Sequence, residues 1–142
     1  MAKVIYNNII PFKGYQAMSF WPVIFARKSA KYLQGYVVNH ESIHLHQQFE
    51  VLVVSIVLGL MIVFSLDLAW WWIFASLFLF YTWYGIEYVI RLFAYGNHQE
   101  AYRNISFEQE AFTYQMDYNY LPKDRKAFAW VKYITKKTYR RK

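Results

Sequence analysis

From Phe49 to Leu66 the chain is almost wholly apolar, interrupted only by Glu50, Ser55 and Ser65. Ser65-Leu66-Asp67 breaks the run, and Leu68 to Tyr84 follows without one charge, opening on Trp70-Trp71-Trp72. A bilayer-crossing helix needs about 20 predominantly apolar residues, and each run reaches that once its flanks are counted. The pattern predicts a membrane protein of mainly α class. It would be a helical hairpin with one helix over residues 35–66 continuing into the first span, a tight turn, and a second span over 68–95. Gly96-Asn97 supplies the stop signal for the second helix.

The flanks read differently. Residues 1–34 are irregular and extended, with Val4-Ile5-Tyr6, Ile9-Ile10 and Met18 to Phe25 strand-like and Pro11-Phe12-Lys13-Gly14 a turn. Pro22 inside the second run indicates an edge or bulge, and a short β-hairpin before the first helix is expected. After the spans, residues 98–142 predict a short piece at His98–Arg103 and a helix opened by a capping box, Ser106-Phe107-Glu108-Gln109, reaching about Tyr118. A last helix should begin at Leu121-Pro122, with Phe128, Val131 and Ile134 forming its apolar face beside Trp130 and Tyr133. These pieces form a small cytoplasmic α+β part, and the 142 residues make one domain.

Composition and charge sharpen this picture. The chain is 57% hydrophobic and 23% aromatic yet carries a net charge of +7. A soluble domain this small has too little interior for so much apolar surface. All 16 basic residues lie before the first span or near and after the end of the second, while the turn between them carries Asp67. The positive-inside rule then puts both termini in the cytoplasm and the tryptophans in the far interfacial belt. Residues 1–8 lack an apolar core, so no cleavable signal peptide is expected. The basic knot Arg27, Lys28, Lys31 and the basic last helix with its Lys136–Lys142 tail are explained by anionic lipid; nucleic acid need not be invoked. There are no cysteines, which excludes disulfides and thiolate ligands.

The chemistry is concentrated at His40-Glu41-Ser42-Ile43-His44. Histidines four apart on a helix lie about 40° apart around its axis, so both imidazoles can grip one Zn²⁺, and the Glu beside the first can serve as a general base toward water. From His44 to Val51 is about 10 Å along a helix, which puts the metal near the headgroups. A catalytic site needs a third protein ligand. Glu108, Glu110, His98, Glu100 and Asp117 are candidates, and Glu108 and Glu110, about 200° apart, cannot both face the metal.

Residues 103–111, Arg-Asn-Ile-Ser-Phe-Glu-Gln-Glu-Ala, resemble the second motif of membrane zincins of the prenyl-protein protease and heat-shock membrane protease type. In those proteins a Glu three residues before an Ala-Asp pair is the third ligand. The resemblance implies that role for Glu108, and it departs at Phe112, which stands where the family has an Asp that positions the site. Asn39 to Glu50 also looks like the site helix of the sensor-transducer proteases of antibiotic resistance. The whole resembles a compact group of bacterial membrane proteins with a zincin core, which implies the bacterial inner membrane as its location. It implies a gluzincin-like fold, a catalytic Zn²⁺ and an edge strand on which substrate peptide is laid.

Other polar groups are weaker candidates. Gln47 shares the histidine face, and His98, Arg103, Tyr102 and Glu110 are placed to support the site or an oxyanion. His46 points about 120° away and reads as a bystander. Glu87 with Arg91 one turn on reads as a structural ion pair. The expectation is a membrane-anchored zinc metallopeptidase with Glu41 as base and His40, His44 and Glu108 as ligands, acting on a peptide or membrane-protein substrate near the cytoplasmic surface. The alternative is a membrane scaffold or assembly subunit with a structural or vestigial zinc site and spans packed on partner helices.

Overall fold

A computed structural model describes residues 2–12, 14–30 and 32–135 of the chain. Lys13 of the expected first turn, Lys31 of the basic knot and the Lys136–Lys142 tail lie outside the described residues. The fold is mostly helical with one small sheet. Its strands are β1 (Lys3–Asn7), β2 (Ala17–Phe20) and β3 (Val23–Arg27). The helices are α1 (Gly35–Ser65), α2 (Leu79–Tyr95), α3 (His98–Arg103) and α4 (Ser106–Tyr114).

The second run splits at Pro22 into a hairpin of its own, β2 with β3, and β1 from the first run joins β3 in parallel rather than forming a hairpin through Pro11–Gly14, giving the order β1-β3-β2. Pro22 sits in the tight connection between β2 and β3 rather than at a bulge. Ile9 and Ile10 are not strand. The Asn7 Oδ1 accepts from both of their backbone N–H groups, at 2.8 and 2.7 Å, which turns the chain out of β1.

Helix α1 and the stretch Trp70–Tyr95 are each long and apolar enough to cross a membrane. Their outer faces stay exposed, Phe64 at 80% and Phe93 at 87%. The second stretch is not α-helical throughout: Trp70–Phe78 is 3₁₀ and α2 begins only at Leu79. That tighter segment packs on α1 where Ser55 and Ser76 exchange reciprocal bonds, each Oγ donating to the other's carbonyl at 3.1 and 3.0 Å. Gly96 closes α2 in the left-handed conformation, φ 64°, its N–H bonded to Leu92 O. Asn97 then caps α3 through Oδ1.

The segment after α3 corrects the sequence reading most. The N-cap of α4 is Ile105, not Ser106. Ser106 instead turns to α2, giving its N–H to Glu87 Oε1 at 2.9 Å and its Oγ to Glu87 Oε2 at 2.7 Å. A carboxylate from another helix thus caps α4, and its negative charge suits the positive helix end. Gln109 reaches back to donate to Asn104 O. Helix α4 stops at Tyr114 rather than Tyr118, because Asn39 Nδ2 lies at the carbonyls of Tyr114, Gln115 and Asp117.

Among the described residues no continuous last helix follows. One π turn covers Tyr120–Asp124, the backbone becomes extended at Arg125, and a 3₁₀ turn covers Ala129–Tyr133. The change of period reverses the expected face. With three residues per turn, Trp130 and Tyr133 point inward together, while Phe128, Val131 and Ile134 are exposed. Trp130 completes the core of Phe80, Ile105 and Phe107 that fastens α4 against α2.

Candidate metal centre

Helix α1 presents His40 and His44 one turn apart on a buried face, and their Nε2 atoms approach to 3.2 Å. Glu108, in the first turn of α4, meets both. Its Oε2 lies 3.3 Å from His40 Nε2 and its Oε1 lies 3.3 Å from His44 Nε2. Among the described residues these three form the group that could hold a metal ion. Tetrahedral ligands held at about 2.0–2.1 Å from one centre stand about 3.3–3.4 Å apart. The Nε2–Nε2 distance and the two imidazole–oxygen distances are of that size, each imidazole facing a different oxygen of the carboxylate.

Hydrogen bonding sets the direction in which the lone pairs point. Gln47 Nε2 donates to Glu110 Oε2 at 2.9 Å and to Phe107 O at 3.1 Å, and both can only accept. Its amide orientation is thereby forced, and Oε1 faces His44 Nδ1 at 2.7 Å. His44 must carry a proton on Nδ1 to bond it, which frees Nε2 for a cation. Gln115 Oε1 lies 3.3 Å from His40 Nδ1. Glu108 Oε1 accepts from Tyr84 OH at 2.8 Å, whereas Oε2 is buried with no hydrogen-bond partner among the described residues. Two imidazole lone pairs and an orphaned carboxylate oxygen so close together fit a bound cation.

The electrostatics agree. Burial alone would disfavour a charged His44, but the adjacent Glu108 carboxylate, helped by Glu41, raises its pKa to about 9. Burial likewise opposes ionisation of Glu108, and the two histidines nevertheless hold its carboxyl well below the usual range. The pocket is built for a positive charge beside a carboxylate. A proton fills that role when nothing else does.

Glu41, His44 and Glu108 open onto a cavity of about 430 Å³. Strand β2 lines it with Ala17, Met18 and Ser19, and Tyr15, Gln48, Tyr81, Tyr84, Tyr88, Tyr102 and His98 add further polar lining. His98 Nδ1 bonds Tyr88 OH at 2.8 Å. Tyr102 lies against Glu108, and burial together with that carboxylate pushes its phenol far above its ordinary pKa, so it remains a donor. Arg103 is turned away, its guanidinium 5.0 Å over the Phe112 ring.

Phe112, in the position where a carboxylate was expected, packs edge-on against His40, centroids 4.8 Å apart. Glu110 turns from the metal position. It accepts from Tyr120 OH, Arg125 and Gln47, and so supports His44 through the glutamine. Asp117 Oδ1 accepts from Asn119 N, and neither it, Glu100 nor His98 belongs to the three-residue group. His46 lines a separate cavity of about 990 Å³, consistent with a bystander.

Sequence reasoning missed Tyr84, Gln115, Gln48 and the capping role of Glu87. Tyr84 lies within a run read only as a span, and Glu87 reads from the sequence as the ion-pair partner of Arg91, which it is at 2.7 Å, with no sign of its bonds to Ser106. Gln115 lies beyond the end of α4, in a stretch expected to continue as helix. Compared with protein-family models, curated proteins and solved structures, the chain matches none.

Proposed function

We propose that the chain is a membrane-embedded zinc metallopeptidase of the zincin kind, cutting peptide chains at the cytoplasmic face of a bacterial inner membrane. The observation that carries this reading is the convergence of His40 Nε2, His44 Nε2 and the Glu108 carboxylate, with contacts of 3.2 and 3.3 Å, beside a cavity that Glu41 also lines. A donor set of two imidazoles and one carboxylate, without sulfur, suits zinc. When bound, Zn²⁺ supplies Lewis acidity toward a carbonyl and lowers the pKa of water to about 7.

The chain's own groups do the rest. The Glu41 carboxylate takes a proton from the attacking water and returns it to the departing amine. Gln47 and Gln115 keep the imidazole Nε2 atoms aimed at the centre, and Tyr84 fixes one oxygen of Glu108. Tyr102 and the Tyr88–His98 pair offer donors from the cavity wall toward an oxyanion. An extended substrate lies along β2, the edge strand that borders the cavity. The apolar exposed hairpin anchors the site in lipid, and the basic flanks meet anionic headgroups.

One observation favours a second reading, a scaffold subunit with a structural metal: Phe112 gives His40 an apolar neighbour where related sites carry an acid. One set of variants separates the two. Glu41→Gln should retain zinc and lose hydrolysis of quenched peptides in proteoliposomes. His44→Ala and Glu108→Ala should lose zinc. Full turnover by Glu41→Gln removes Glu41 as base, and zinc retained by Glu108→Ala removes the third ligand.

A further inference from the structure

We propose that Gln48 ends the peptide-binding edge of β2, so that substrate can extend past the cavity in one direction only; the inference rests on the peptidase reading above. Gln47 and Gln48 are adjacent on α1 and diverge. The first faces α4, and the second faces the sheet. Gln48 is buried, 6% exposed. Its Nε2 donates to Ser19 O at 3.1 Å and to Ser19 Oγ at 3.2 Å, and its Oε1 accepts from Trp21 N at 2.7 Å. The side-chain amide therefore sits where the peptide group of an added strand would sit, offering the same donor and acceptor to the same main-chain groups.

The pairing pattern shows how much edge remains. In an antiparallel pair, alternate residues direct their N–H and C=O to the partner strand and the others direct them outward. Gln16 O accepts from Arg27 N, toward β3. Ala17, Ser19 and Trp21 therefore face outward. Gln48 takes the Ser19 carbonyl and the Trp21 N–H, and Tyr81 OH adds a bond to Ser19 O at 3.4 Å. Beyond them the edge is walled off, with Phe20 stacked on Tyr81 of α2 and Trp21 stacked on Phe49 of α1. Ala17 lines the cavity that holds Glu41, His44 and Glu108, and among the described residues nothing outside the sheet pairs with its N–H and C=O. A peptide can pair across Ala17 but collides with Gln48 one register step later.

The substrate class that fits is a peptide chain close to one of its ends, not the middle of a long extended segment. The cavity volume of about 430 Å³ is in the lower part of the usual pocket range of about 300–1,000 Å³, which accords with a short occupant.

The test uses full-length protein with zinc in proteoliposomes and one quenched peptide core, extended separately at its N-terminus and at its C-terminus. Wild type should cut the core and one extended form, and reject the other. Gln48→Ala and Gln48→Ser, each too short to reach Ser19 O, should keep wild-type zinc content. They should raise kcat/KM for the rejected peptide relative to the core by about tenfold, the worth of one or two recovered main-chain bonds. Equal wild-type rates on both extended peptides, or an unchanged length profile in zinc-replete variants, would overturn the role of Gln48 and leave the peptidase reading standing. Should the variants lose zinc, the wild-type profile alone decides. Zinc-loaded wild type that cuts no form of the peptide overturns both.

Discussion

His44 Nδ1 donates to Gln47 Oε1 at 2.7 Å, and the far side of the same amide is held by Glu110 and the Phe107 carbonyl. One neutral side chain thus sets the tautomer and the tilt of a metal-facing imidazole. Such outer partners typically govern metal affinity by about 10–100-fold. Gln47→Ala should weaken zinc binding by about that factor in chelator competition while leaving the helical content unchanged. Affinity equal to wild type would show that the glutamine merely fills space.

Arg125 lies between Glu50 and Glu110, bonding both with a side chain only 5% exposed. Removing it strands two carboxylates, one of them wholly buried. Arg125→Ala should cost about 3 kcal/mol or more, the range for breaking a buried pair. Denaturant unfolding in detergent reads this directly. Gln47 should then lose its anchor, so zinc affinity falls as well. A stable variant with weakened zinc binding would place Arg125 in site positioning alone.

Glu87 joins three pieces of the fold. It pairs with Arg91 at 2.7 Å, caps α4 through Ser106, and Arg91 continues to the carbonyls of Tyr133 and Ile134. Ser106→Ala removes one charge-assisted bond, worth about 1.5–3 kcal/mol. Glu87→Ala also leaves Arg91 without its carboxylate and should cost more, about 3–5 kcal/mol. Both changes loosen the turn that carries Glu108, so thermal stability and zinc retention should fall in that order. A Glu87→Ala protein as stable as wild type would count against the cap.

Gly59 sets how closely the two long apolar helices approach. A Cβ there would stand 2.8 Å from Ser76 Oγ. Gly59→Ala must therefore displace the hydroxyl that donates to Ser55 O, a loss of about 1 kcal/mol or more. Adding Ser76→Ala should restore part of that stability by clearing the clash. A double variant weaker than Gly59→Ala would mean that the hydroxyl matters beyond the clash.

Local pattern carried a good part of the result. The start of α1 near Gly35, the break after Ser65, the Gly96 stop and the short α3 were all readable, because each depends on residues within a turn or two of one another. Signals that depend on a distant partner misled. The Ser106 capping box is locally well formed, yet Glu87, nineteen residues earlier, takes over both the hydroxyl and the N–H. Helix spacing placed Phe128, Val131 and Ile134 inward, and a 3₁₀ turn places Trp130 and Tyr133 there instead.

By itself the sequence determined that His40 and His44 share one helical face, that Glu41 stands beside them, and that two runs are long and apolar enough to cross a membrane. These follow from the helix repeat and from residue hydrophobicity, which need no partner. Only the tertiary structure decided that Glu108, not Glu110, comes within 3.3 Å of both imidazoles. It also decided that Glu110 serves through Gln47, and that Gln48 lies on a strand edge. Those outcomes depend on how α4 and the sheet dock on α1, and docking is set by contacts between residues far apart in the chain, which no local periodicity encodes.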